Sequence, residues 1–142
     1  MNILRPTHIA ETSLYVDDVE RAAEFYTRLF NALVLRCDAR LCALRINDQQ
    51  VLLLFLRGGS TQAVTLEGGI IPAHDGHGPL HVCFGVGMDE PNAWERRLQQ
   101  LGIQIESRVH WPPGGTSLYF RDPDGHAVEL ATPRVWAAAV DA

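Results

Sequence analysis

The chain has 142 residues, enough for one ordinary domain with a real core. Apolar residues make up 46% and charged residues 20%, a globular composition that excludes wholesale disorder. The formal net charge of −5 provides no electrostatic footprint for nucleic acid or an anionic membrane surface, and no apolar run approaches the ~18 residues that a membrane helix needs.

Met1–Pro6 contains no apolar stretch before a small-residue cleavage site, so no export signal is expected. Cys37, Cys42 and Cys83 are odd in number and form no Cys-x-x-Cys pair. A reduced, cytoplasmic protein is therefore expected, with the thiols packed as small hydrophobes.

From Glu11 the chain alternates as a strand, with Leu14 and Val16 on one face and Glu11, Ser13 and Tyr15 on the other. Asp17, with Glu20 three residues later, predicts a helix start. Val19, Ala22, Ala23, Tyr26, Leu29 and Phe30 then follow the helical period, and Asn31 suits a left-handed end. Three strands are expected at about 32–37, 40–46 and 50–56. A glycine-rich connector at about 57–79 reads as a flexible link or a flap. Its His77, beside Asp75 and Gly76, is a candidate gating or acid–base group.

The plan then repeats. His81-Val-Cys-Phe-Gly-Val lies on Glu11-Thr-Ser-Leu-Tyr-Val, putting Phe84 on Leu14 and Val86 on Val16. A second helix is expected from about Asp89, with Pro91 in its first turn and Trp94, Leu98 and Leu101 buried. Pro112-Pro113-Gly114-Gly115 and Asp122-Pro123-Asp124-Gly125 break the chain into strands at about 104–110, 116–121 and 127–132. The expected fold is α+β, with βαβββ twice: module one at about 8–56, module two at about 80–132, and a tail at 133–142.

Laying Asp124 on Asp48 places Glu129 on Leu53. A carboxylate in the middle of an apolar strand is costly unless it is paired or metal-bound. A purely structural Glu129 would pair with an arginine such as Arg45 or Arg134.

His81-Val-Cys-Phe-Gly-Val together with Asp122-Pro-Asp-Gly-His-Ala-Val-Glu-Leu130 resembles the second module of the vicinal oxygen chelate superfamily of glyoxalases, bleomycin-resistance proteins and extradiol dioxygenases. Leu14-Tyr-Val-Asp17, Phe25-Tyr26 and Leu29-Phe30-Asn31 resemble its first module, and the likeness spans about residues 8–133. The resemblance implies metal ligands at Glu11, His81 and Glu129. Glu11 stands where the family usually has histidine, and Leu53 stands where lyase-type glyoxalases carry a further glutamate, which counts against that lyase chemistry.

Three protein ligands would leave open positions on a divalent ion for a substrate with two neighbouring oxygens. Hard oxygen donors favour Mn²⁺, Fe²⁺ or Mg²⁺, with Zn²⁺ also compatible. Tyr119 is a candidate catalytic hydrogen-bond donor or proton carrier beside Glu129. Ser13, Tyr15, Ser117 and Trp111 are candidate pocket residues, and His110 a rim residue. The resemblance also implies a homodimer with sites shared between protomers. The competing reading is a metal-free protein that sequesters an antibiotic in an aromatic cleft drawn from Tyr15, Trp111, Tyr119 and Trp136.

Overall fold

The structure, a computed structural model, describes residues 3–112 and 114–136. The chain divides into two units, Met1–Gly78 and Pro79–Ala142, each built on its own four-stranded curled sheet.

In the first unit, β1 (Glu11–Val16) leads into α1 (Val19–Phe30), then β2 (Leu33–Cys37), β3 (Leu41–Arg45) and β4 (Val51–Leu56). The sheet order is β1-β4-β3-β2, with β1 parallel to β4 and the other pairs antiparallel. The helix starts at Asp18, whose side chain accepts from Arg21 N, and not at Asp17 as the sequence suggested. Asp17 instead pairs with Arg57 at 2.9 Å. The helix ends at Asn31, whose φ of 52° turns the chain out of the helix. Between those ends Val19, Ala22, Ala23, Tyr26 and Leu29 are buried, and the helix packs on β3 and β4. Leu14, Val16, Cys42, Leu44, Leu52 and Leu54 complete that core. Each such side chain contributes roughly 1.5–3 kcal/mol of burial. Alternation leaves the other sheet face to Glu11, Ser13, Tyr15 and Leu53.

The connector holds more structure than its composition suggested. A short hairpin, β5 (Val64–Leu66) and β6 (Gly69–Ile71), forms within it. Cys37 and Cys42 face each other across the β2–β3 pair and are joined as a disulfide, where free thiols were expected; only Cys83 is free among the described residues.

The second unit repeats the plan with β7 (His81–Gly85), α2 (Pro91–Gln100), β8 (Ile105–His110), β9 (Thr116–Arg121) and β10 (Ala127–Ala131), in the order β7-β10-β9-β8. The registers of the two parallel pairs coincide. Glu11 lies opposite Val51 and His81 opposite Ala127, so Leu53 and Glu129 hold equivalent places. In α2 only Leu98 is buried; Trp94 and Leu101 are half-buried. Glu90 precedes the helix without capping it; its carboxylate accepts from Gly87 N and Trp94 Nε1. Val82, Leu118, Phe120, Val128 and Leu130 form this unit's core with Leu98. Residues 133–136 of the tail make a short 3₁₀ turn, and 137–142 lie outside the described residues. No described helix is long and apolar enough to cross a membrane.

Candidate metal centre

Glu129 is buried in the middle of β10, with Cys83 on one side and Tyr119 on the other in the strand register. Cross-strand neighbours share a face, so β7, β9 and β10 present His81, Cys83, Ser117, Tyr119 and Glu129 together, opposite the core. This is the polar face that the repeat predicts for the second module.

The contacts within this group are directional. Ser117 donates its hydroxyl hydrogen to Glu129 Oε2 at 2.6 Å, and Trp111 Nε1 donates to Ser117 Oγ at 2.9 Å. One carboxylate oxygen is therefore held by a relay of donors, and Oε1 is left to face His81 Nε2 at 3.2 Å. The other ring nitrogen of His81, Nδ1, lies 2.9 Å from the Ala127 carbonyl. A carbonyl only accepts, so Nδ1 carries the proton, and in the neutral ring Nε2 is a lone pair. Two acceptors then face each other at hydrogen-bond distance. That arrangement calls for a positive charge between them, either a proton on Nε2 or a cation. Metal-ligating histidines are oriented in this way, with the distal N–H on a backbone carbonyl. His81 Nε2 and Glu129 Oε1 are a nitrogen and an oxygen donor of the kind that a divalent ion takes. Neither Arg45 nor Arg134 takes the structural partnership with Glu129; Arg45 is bound to Asp48.

Tyr119 stacks near His81, with ring centroids 6.4 Å apart. Desolvation, and then the charge of Glu129, raise its phenol above the ordinary value, so the hydroxyl is a proton donor at neutral pH. Cys83 keeps exposed surface, yet its sulfur lies close enough to other side chains for desolvation to lead, with Glu129 adding, in pushing the thiol up to about 12.

The third expected ligand, Glu11, belongs to the first unit. There it lines a cavity of about 570 Å³ together with Ser13, Tyr15, Arg40, Leu53, Phe55, Ser60, Gln62 and His74, among others. Among the described residues, no group of three or more His, Cys, Asp or Glu side chains gathers to hold a metal. The structure thus brings His81, Glu129, Ser117, Trp111 and Tyr119 together in one unit, and Glu11, Ser13 and Tyr15 in the other.

The connector's contribution differs from the expected one. His77 is exposed and pairs with Asp75, whereas His74 reaches the cavity, its Nδ1 2.7 Å from the Tyr15 hydroxyl and its ring edge-on to Phe55. Arg40, Ser60 and His74 are the chemically distinctive cavity residues among those that the sequence reading missed. His110 is exposed beside Thr116, and Trp136 is exposed on the tail turn.

The sequence matches the family described as the Glyoxalase/Bleomycin resistance protein/Dioxygenase superfamily over residues 5–130. The chain belongs to this superfamily. Among solved structures, it is similar to a lactoylglutathione lyase from Agrobacterium tumefaciens, with a TM-score of 0.83 and 34% identity over 92% of this chain and 97% of that one. Two metallothiol transferases named FosB are also similar in sequence. The Bacillus licheniformis protein is 34% identical over 64 residues, 44% of this chain, and the match spans only 40% of that relative. The Shouchella clausii protein is 26% identical over 119 residues, 82% of this chain and 74% of that one. As a superfamily member, this chain carries Leu53, not a carboxylate, at the place in module one equivalent to Glu129.

Proposed function

We propose that the protein is a divalent-metal-dependent enzyme acting on a small substrate chelated through neighbouring oxygens, with Glu11, His81 and Glu129 as the protein ligands. The observation that carries this reading is His81 Nε2 set 3.2 Å from Glu129 Oε1, with the opposite ring nitrogen, Nδ1, turned to the Ala127 carbonyl. The metallothiol transferases among the relatives support a metal-assisted thiol addition, and Leu53 at the place of a further carboxylate counts against the lyase reaction of the similar solved structure.

A bound ion would supply Lewis-acid stabilisation of negative charge developing on a substrate oxygen. The chain's own residues do the rest. Ser117 and Trp111 fix one oxygen of Glu129 so that the other has a single orientation. Tyr119 sits on the same face, where its hydroxyl can donate to the developing oxyanion. Ser13 and Tyr15 line the cavity that also contains Glu11. We infer that two copies of the chain share each site, module one of one protomer supplying Glu11 to His81 and Glu129 of its partner.

Metal analysis tests the reading. Purified wild type should carry or take up about one Mn²⁺ per chain, and Glu129→Ala and Glu11→Ala should each lose it while remaining folded. Mixing those two variants should restore up to half of the binding if sites are shared, and none if they are not. No ion in the wild type would favour the second reading, antibiotic sequestration without catalysis. That reading draws support from the aromatic wall of Tyr15, Phe55 and His74.

A further inference from the structure

The cavity of the first unit has two chemically different ends. Glu11 lies opposite Val51 at the start of β4, while Leu41 lies opposite Phe55 and the Arg40 carbonyl accepts from Leu56 N at its finish. Four steps of strand separate Val51 from Phe55, about 13 Å at the usual rise. Glu11 and Arg40 line the same space, yet form no ion pair with each other.

The Arg40 end is held in place but not satisfied. Asp38 Oδ1 accepts from both Arg40 N and Leu41 N at 2.9 Å, which fixes the backbone beneath the side chain. Among the described residues the guanidinium has no carboxylate; its one side-chain bond is a long contact of 3.5 Å to the Gly59 carbonyl. Ser60, next in the chain, is 4% exposed, and its hydroxyl has no hydrogen-bond partner. An orphaned buried hydroxyl is rare and asks for an explanation. Here it lines the same cavity as an unneutralised arginine. The Ser60 carbonyl, by contrast, is occupied, accepting from His74 N at 2.9 Å, so the segment is well determined and the hydroxyl is the open valence.

We propose that Arg40 and Ser60 form an anion-recognition subsite, and that the ligand is an elongated amphipathic molecule. Its carboxylate, or a comparable single anionic group, lies on the Arg40 guanidinium with the Ser60 hydroxyl as a further donor. Its apolar middle lies along Leu53 and Phe55, and its far end reaches Glu11, on the order of 10 Å away. The ligand's length depends on the reading of Glu11 as a metal ligand given above; the anion subsite does not. An arginine fork recognises a planar carboxylate through paired hydrogen bonds, which a neutral amide of the same shape cannot match.

The test compares 3-phenylpropionate with its neutral isostere 3-phenylpropanamide on the full chain, by calorimetry or ligand-observed NMR. Wild type should prefer the acid by about tenfold or more. Arg40→Gln should abolish that preference while leaving amide binding unchanged. Ser60→Ala should weaken acid binding several-fold without lowering the melting temperature, because it removes a group that has no partner in the folded protein. A hydroxyl serving only the fold would show the opposite pattern. Glu129→Ala, and wild type stripped of metal by a chelator, should keep the preference, so that loss of the metal reading leaves this result intact. The proposal is overturned if the acid fails to bind at millimolar concentration, if acid and amide bind alike, or if the preference survives Arg40→Gln. A preference that instead disappears with Glu129→Ala would place the anion on the metal centre and overturn it as well.

Discussion

Ser117 donates its hydroxyl hydrogen to Glu129 Oε2 at 2.6 Å, and this bond decides which carboxylate oxygen is turned toward His81. Ser117→Ala should therefore weaken Mn²⁺ binding by about 10–100-fold, read by titration, although Ser117 is no ligand. The same change removes a buried hydrogen bond to a charged group and should cost roughly 1.5–3 kcal/mol in chemical denaturation. Unchanged metal affinity would show that Glu129 needs no orienting partner.

Gly76 packs directly against the Tyr15 ring. A Cβ there would clash with Tyr15 Cδ2 and Cε2, so Gly76→Ala must displace a ring that is stacked on Phe55 and bonded to His74. Overpacking of this kind should cost about 1–3 kcal/mol. Gly68, in the β5–β6 turn, has open space around it, and Gly68→Ala should stay within about 0.5 kcal/mol of wild type. Thermal denaturation of the two variants side by side checks the contrast.

The two aspartates before α1 should separate cleanly. Asp18→Ala removes the N-cap and should destabilise by roughly 0.5–2 kcal/mol. Asp17→Ala removes an ion pair whose carboxylate is largely exposed and should cost less than about 1 kcal/mol. Equal losses would mean that the cap is shared between them.

Asn31 occupies a left-handed backbone position at the end of α1. Asn31→Gly should be nearly neutral, and Asn31→Ala should cost about 1 kcal/mol. The measurement is the denaturation midpoint of each variant.

Much of this architecture could be read from local pattern. The strand at Thr116–Arg121 follows the Pro-Pro-Gly-Gly break, and the α1 face follows the helical period, because both depend on residues a few positions apart. The offset between halves also carried over into space, which is why Leu53 and Glu129 hold equivalent places. What escaped depends on distant or very short relationships. The β5–β6 hairpin has three-residue strands, too short for alternation to register. The Cys37–Cys42 link needed the β2–β3 register. His74, not His77, enters the cavity because its backbone is tied to Ser60, a bond invisible in a sequence with no period. Ser60 and Arg40 gave no signal at all, since a lone serine and a turn arginine usually meet only water.

The Cys37–Cys42 bond closes the base of the short turn that carries Arg40. Sample history therefore becomes an experimental variable. A preparation stored in dithiothreitol presents that guanidinium on an opened clasp, and one stored in air presents it on a shut one. Affinities for charged ligands from the two are comparable only once the thiol content of each has been counted.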